Sequence, residues 1–130
     1  MKYLCLVCID EKKLEALSPA EMDQLVNESI DYDAALTKRG RYLAAAALKP
    51  VETATTVRMK NGRPTVTDGP FAETKEFLAG FYMIEARDLN EAIQLAAKIP
   101  PATVGSIEVR PIRPIRETVR AQQGEAHGVR

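Results

Sequence analysis

The chain has one histidine, two cysteines and no surplus of charge, 18 Lys and Arg standing against 18 Asp and Glu in 130 residues. Each shortage excludes something. A balanced charge gives no field to hold a phosphate backbone, so direct nucleic-acid binding is not expected. His127 has no partners at ligand spacing, and Asp68, Glu73 and Glu76 bring oxygens but no soft or imidazole ligand, so neither metal nor cofactor is expected. No glycine-rich loop leads into a helix, which removes the usual cradle for nucleotide phosphates. No run approaches the roughly 20 apolar residues of a membrane span. The start, MKYLCLVCIDEKK, lacks the apolar core and cleavage site of a signal peptide, so the expected location is cytoplasmic, with no membrane partner. Cys5 and Cys8 are spaced like a redox pair, but they lie in a run that reads as a strand, where residues three apart face opposite ways; buried structural thiols are expected.

What is present is regular patterning. Tyr3 to Ile9 is apolar at odd and even positions alike, as in a central strand covered on both faces. In LSPAEM, Ser18 can cap a helix, Pro19 suits its first position and Glu21 completes a capping box. Met22, Leu25, Ser29, Tyr32 and Leu36 then recur at helical spacing, widened by Val26 and Ile30, and Lys38-Arg39-Gly40 ends the run, so a helix is expected from about Pro19 to Arg39. Four successive alanines sit between Gly40 and Pro50, with too little room for a stable helix, and a strand is expected from Arg41 to Leu48. Asn61-Gly62 between TTVRMK and PTVT predicts a two-residue hairpin pairing Lys60 with Arg63, Arg58 with Thr65 and Val57 with Val66. Phe77 to Ala86 reads as a second buried strand, in which Gly80 suggests a bulge or the close approach of another backbone or a ligand. Asp88 and Glu91 open a second helix with Leu89, Ala92, Ile93, Ala96 and Ala97 as its apolar face, stopped by Pro100-Pro101. A last strand covers Ser106 to Pro111. After Ile112 the composition becomes that of a polar tail, residues 113–130, with one helical turn expected around Ile115 to Val119 and Arg113, Arg116 and Arg120 at helical spacing.

This order, two βα units feeding one antiparallel sheet, implies an α+β, ferredoxin-like architecture with both helices on one face and an added β-hairpin. The strands apolar on both sides leave a second face to cover, and a second copy of the chain, a homodimer, is the simplest cover.

From Met1 to about Ile112 the sequence resembles the DGPF-domain branch of the YCII-related proteins, through the MKYL start, ETATTVR, TDGPFAETKE, the Gly-Phe-Tyr strand and GSIEVRPI. The resemblance implies a dimeric α/β barrel with a cavity between sheet and loop. It also implies a regulatory link, since some members are encoded beside or fused to extracytoplasmic-function sigma factors. The presumed catalytic pair of the wider group, a histidine on the first helix and a nearby aspartate, has no counterpart here, because that helix contains no histidine.

The loop TDGPFAETKE admits three readings. In the first, Asp68 bonds the backbone after Gly69, Phe71 plugs the core, and Glu73, Lys75 and Glu76 are solvated. In the second it rims a binding pocket, with Thr67 and Asp68 at the edge, Phe71 among the binding residues, Lys75 and Arg58 for an anionic group and Tyr82 or Tyr3 on the wall. The third adds catalysis: Asp68 as acid–base residue, Lys75 or Arg110 stabilising an oxyanion, and Tyr82 donating a proton. The ligand expected in the second and third is a small, mostly apolar organic acid or enol. An interaction module using the surface or the tail remains the alternative.

Overall fold

The computed structural model describes residues 1–116; His127, Arg120 and most of the turn expected around Ile115 to Val119 lie outside them. Before residue 112 the chain forms, in order, β1 Lys2–Asp10, α1 Glu11–Glu15, α2 Pro19–Lys38, β2 Tyr42–Ala47, β3 Thr55–Lys60, β4 Arg63–Asp68, β5 Glu76–Glu85, α3 Leu89–Ala96 and β6 Gly105–Pro111. The main sheet has the order β2-β5-β1-β6 and is antiparallel throughout. This is the ferredoxin-like arrangement that the element order implies.

Why these residues form these elements is mostly local. Ser18 Oγ accepts from the Glu21 amide while the Glu21 carboxylate accepts from the Ser18 amide, the full capping box, with Pro19 at the first helical position. Those bonds hold the Glu21 carboxyl below its ordinary pKa. Asp88 caps α3 by accepting from the Glu91 amide, and Glu91 itself, buried, accepts from the Arg87 amide at 2.7 Å and from Arg41 at 3.1 Å. Asn61 and Gly62 both have positive φ, 52° and 76°, and the hairpin pairs Lys60 with Arg63, Arg58 with Thr65 and Val57 with Val66. The short helix α1 is an addition to the sequence reading. It starts because Asp10, at the end of β1, accepts from the amides of Lys12 and Lys13.

The core lies on one side of the main sheet. Tyr3, Cys5, Val7 and Ile9 of β1 and Tyr82 and Ile84 of β5 are buried with Leu36 of α2 and with Ala92, Leu95 and Ala96 of α3. Along α2 the stripe Met22, Leu25, Ser29, Tyr32 and Leu36 is the sheltered one, whereas Val26 and Ile30 are exposed, so the expected widening is corrected. On α3, Leu89 and Ile93 are likewise exposed and the buried face is Glu91, Ala92, Leu95 and Ala96. Periodicity identified a helix there; the sheet chose which of its stripes to cover.

On the other side of the sheet, Leu4, Leu6, Phe81 and Met83 are only half-buried and Leu78 is exposed. Cys5 and Cys8 take opposite faces, the first buried and the second half-buried. Gly80 does both things expected of it. The β1–β5 register slips between Val7 and Cys8, which leaves Ala79 as the extra residue of a bulge. A Cβ on Gly80 would also stand 2.6 Å from the Ala46 carbonyl oxygen. The hairpin β3–β4 does not join the main sheet; it forms a two-stranded sheet of its own with mostly exposed residues.

Candidate functional site

The chain between β2 and β3 and the chain between β4 and β5 face each other across a cleft of about 740 Å3. One wall is Pro50, Val51, Glu52 and Thr53, which form a 3-10 turn at Val51–Thr53. The other is Gly69, Pro70, Phe71 and Ala72, from the TDGPF segment, with Leu48, Phe77 and Leu78 forming the floor. Three contacts hold the walls together. Gly69, at φ 96°, donates its amide to the Ala54 carbonyl at 2.7 Å, the Thr56 hydroxyl donates to the Gly69 carbonyl at 2.7 Å, and the Arg58 guanidinium donates to the Phe71 carbonyl at 3.2 Å. Lys49 is the cation among the lining residues, which also include the acids Glu11, Glu52 and Glu73.

The residues singled out in the sequence are distributed differently from expectation. Asp68 is the last residue of β4, paired with Thr55 and exposed, and its carboxylate makes no hydrogen bond or ion pair with the described residues. The bonds to the backbone after Gly69 are therefore absent: Asp68 is still extended in the ladder, and Gly69 makes the turn. Neither Asp68 nor Thr67, opposite Thr56, lines the cleft. Phe71 is 80% exposed, which corrects its reading as a core plug and leaves its ring at the cleft. Arg58 serves the Phe71 carbonyl. Lys75 extends from the loop to within 4.0 Å of Asp10, and Arg110, 3.8 Å from Glu108, stands on β6 at the far edge of the sheet. None of these three cations lines the cleft.

Tyr3 is buried in the core. Tyr82 lines a separate hollow of about 290 Å3 beneath α2 that shares no residue with the cleft, so Asp68 and Tyr82 do not border a common cavity. Its hydroxyl donates to Asp33 Oδ1 at 2.5 Å, and its ring lies 6.5 Å from that of Tyr32, tilted by 54°. Burial first, then the hydrogen bond to Asp33 and the charge of Asp33, raise the Tyr82 phenol well above its usual pKa. A phenol so placed holds its proton on the carboxylate side rather than offering it to a ligand.

Sequence reasoning missed Lys49 and Asp33. For Asp33 a signal existed: it follows Ser29 by four and precedes Leu36 by three, which puts an acid on the sheltered stripe of an otherwise solvated helix. For Lys49 there was none, because nothing local shows that the segment before Pro50 faces the TDGPF turn.

The pattern of the YCII-related domain matches residues 1–116. The chain belongs to the YCII-related family. It is 37% identical over 114 residues to an uncharacterised protein of Rhizobium meliloti (strain 1021), an alignment covering 86% of this chain and 92% of that one. For a YCII-related chain the absence of histidine from α2 leaves Asp33 as a helix carboxylate paired with a tyrosine hydroxyl. Among the described residues no helix is long and apolar enough to cross a membrane.

Proposed function

We propose that this YCII-related protein, of the DGPF branch, binds a small, mostly apolar organic acid or enol in the cleft beside the TDGPF turn. The observation that carries the reading is the composition of the cleft: Pro50, Val51, Pro70, Phe71, Phe77 and Leu78 give it apolar walls, and Lys49 supplies one cation at the lining. Phe71 is 80% exposed although it sits on a turn held by three hydrogen bonds, an arrangement that suits a ring kept ready for a ligand. A carboxylate or enolate oxygen pairs with Lys49, while the three acids of the lining, Glu11, Glu52 and Glu73, disfavour a ligand of high negative charge. Acid–base chemistry by Asp68 and Tyr82 together is not part of this reading, because the two face different spaces.

The test is a thermal-shift screen of small carboxylic acids, lactones and phenols against the wild type, Lys49→Gln and Phe71→Ser. A ligand at 100 times its dissociation constant adds about 2.7 kcal/mol of stability. Both substitutions are expected to weaken binding about tenfold, or about 1.4 kcal/mol each. A ligand bound equally by all three proteins is not in this cleft. The proposal includes a homodimer with the two main sheets face to face, supported by the half-buried Leu4, Leu6, Phe81 and Met83. Light scattering is expected to show a dimer for the wild type and a monomer for Phe81→Glu; a wild-type monomer at micromolar concentration sinks that part.

A further inference from the structure

The hollow beneath α2 has a chemistry opposite to that of the cleft. It is bounded by the sheltered side of α2, the β2 edge of the sheet and Pro101, and three polar side chains line it: Ser29, Asp33 and Tyr82. Every hydrogen on those side chains is committed. Tyr82 donates to Asp33 Oδ1 at 2.5 Å, and Ser29 donates to the Leu25 carbonyl at 2.9 Å, one turn back along the helix. What the three present to the hollow is lone pairs and one negative charge. Asp33 makes no ion pair with the described residues, and its Oδ2 has no hydrogen-bond partner among them. The unpaired edge of β2 adds peptide groups and no charge. A carboxylate or phosphate brought here meets acceptors and an anion, and would lose its hydration without replacement. The complementary group carries hydrogens and positive charge.

We propose that this hollow binds a small primary ammonium ion with a short apolar body, its N–H groups donating to Asp33 Oδ2, Tyr82 Oη and Ser29 Oγ. Three ammonium hydrogens meet three acceptors. Ser29 and Asp33 stand one helical turn apart on α2, about 5–6 Å at their Cβ atoms, and a nitrogen in hydrogen-bond contact with two oxygens spans about 5 Å between them. The remaining walls, among them Val7, Ile9, Phe81 and the alanines of β2, are apolar and suit a hydrocarbon body. At about 290 Å3 the space is at the lower end for ligand sites. A ring of six carbons is therefore near the upper limit, which excludes nucleotides and polyamine conjugates. The inference is independent of the cleft, whose ligand is expected to be an anion.

The experiment is a two-dimensional amide NMR titration of the full chain at neutral pH with cyclohexylammonium and, separately, cyclohexanecarboxylate. The ammonium is expected to shift the amides of Ser29, Asp33, Ala45, Ala47 and Tyr82, and the carboxylate to leave them in place. Asp33→Asn should weaken the ammonium at least tenfold. Because Asp33 also holds Tyr82, Ala47→Leu serves as a second variant: Ala47 is exposed yet lines the hollow, so a larger side chain fills the space without disturbing the core. It too should weaken binding at least tenfold. Equal response to the two probes overturns the proposal, as does wild-type affinity in both variants or shifts confined to Lys49, Phe71 and their neighbours. Those last residues report on the cleft, so failure of one site reads separately from failure of the other.

Discussion

The two faces of the main sheet share its central strands, β1 and β5, and differ in how those strands are covered. On the helix side Tyr3, Cys5, Val7, Tyr82 and Ile84 are buried under α2 and α3, with both helices capped by side chains. On the opposite side Leu4, Leu6, Phe81 and Met83 are half-buried, and the separate hairpin carries Val57, Met59 and Val66 each at least 60% exposed. Apolar content alone does not separate the two. What separates them is cover: among the described residues α2 and α3 pack on one face and no helix packs on the other. Buried side-chain packing is therefore concentrated on the helix side.

Leu36 and Val57 test that contrast most sharply. Leu36, on the sheltered face of α2, is 1% exposed, so Leu36→Ala is expected to cost about 2–5 kcal/mol by denaturant unfolding. Val57 is 60% exposed on the hairpin, and Val57→Ala should stay within about 0.5 kcal/mol. If the two losses are comparable, the hairpin is packed against something in solution, and the contrast dissolves.

A second test uses pH. Cys5 is fully buried, and burial pushes its thiol up to about 11 from an ordinary 9.0. The unfolded chain ionises first as pH rises, so the stabilisation is complete below pH 9 and is lost as pH passes through the folded value. Two pH units at about 1.4 kcal/mol each set a scale of roughly 2–3 kcal/mol. Cys5→Ala is expected to flatten the decline in unfolding free energy between pH 9 and 11, although Tyr82, also raised, keeps a decline above pH 10. Cys8, on the half-covered face, is raised by burial first and then by Glu108 and Glu76. An equal flattening by Cys8→Ala would mean that its face is as dry as the other.

Much of the backbone was legible because its causes are local. Asn61-Gly62 needs nothing beyond positive φ, Ser18-Pro19 with Glu21 needs only a helix end, and Gly80 announces a close approach whatever approaches. Burial was legible only in part. Val26 and Ile30 on α2, and Leu89 and Ile93 on α3, have the same periodicity as their buried neighbours, and only the angle at which each helix crosses the sheet distinguishes the stripes. The candidate sites were least legible. TDGPF was marked as unusual, and its Phe71 does face the cleft, but Asp68 ends a strand instead of rimming a pocket, and Tyr82 looks into another space. Which residues of distant segments meet is a property of the sheet order, to which no short motif refers.

On the helix side the smallest expected loss lies at the helix cap. Ser18 and Glu21 exchange bonds at 3.1 and 2.9 Å, but both are solvent-exposed, so water replaces the lost partner when one is removed. Ser18→Ala should therefore cost about 1 kcal/mol, and Ser18→Gly only a few tenths, since glycine leaves the cap amides open to water. The denaturant slope should not change, because the surface exposed on unfolding is the same. Ser18 is at the start of the helix whose other end covers the sheet with Leu36. A loss from Ser18→Ala as large as that from Leu36→Ala would mean that α2 is held chiefly by its end rather than by its buried stripe, and the account of the covered face would have to be rebuilt from the cap.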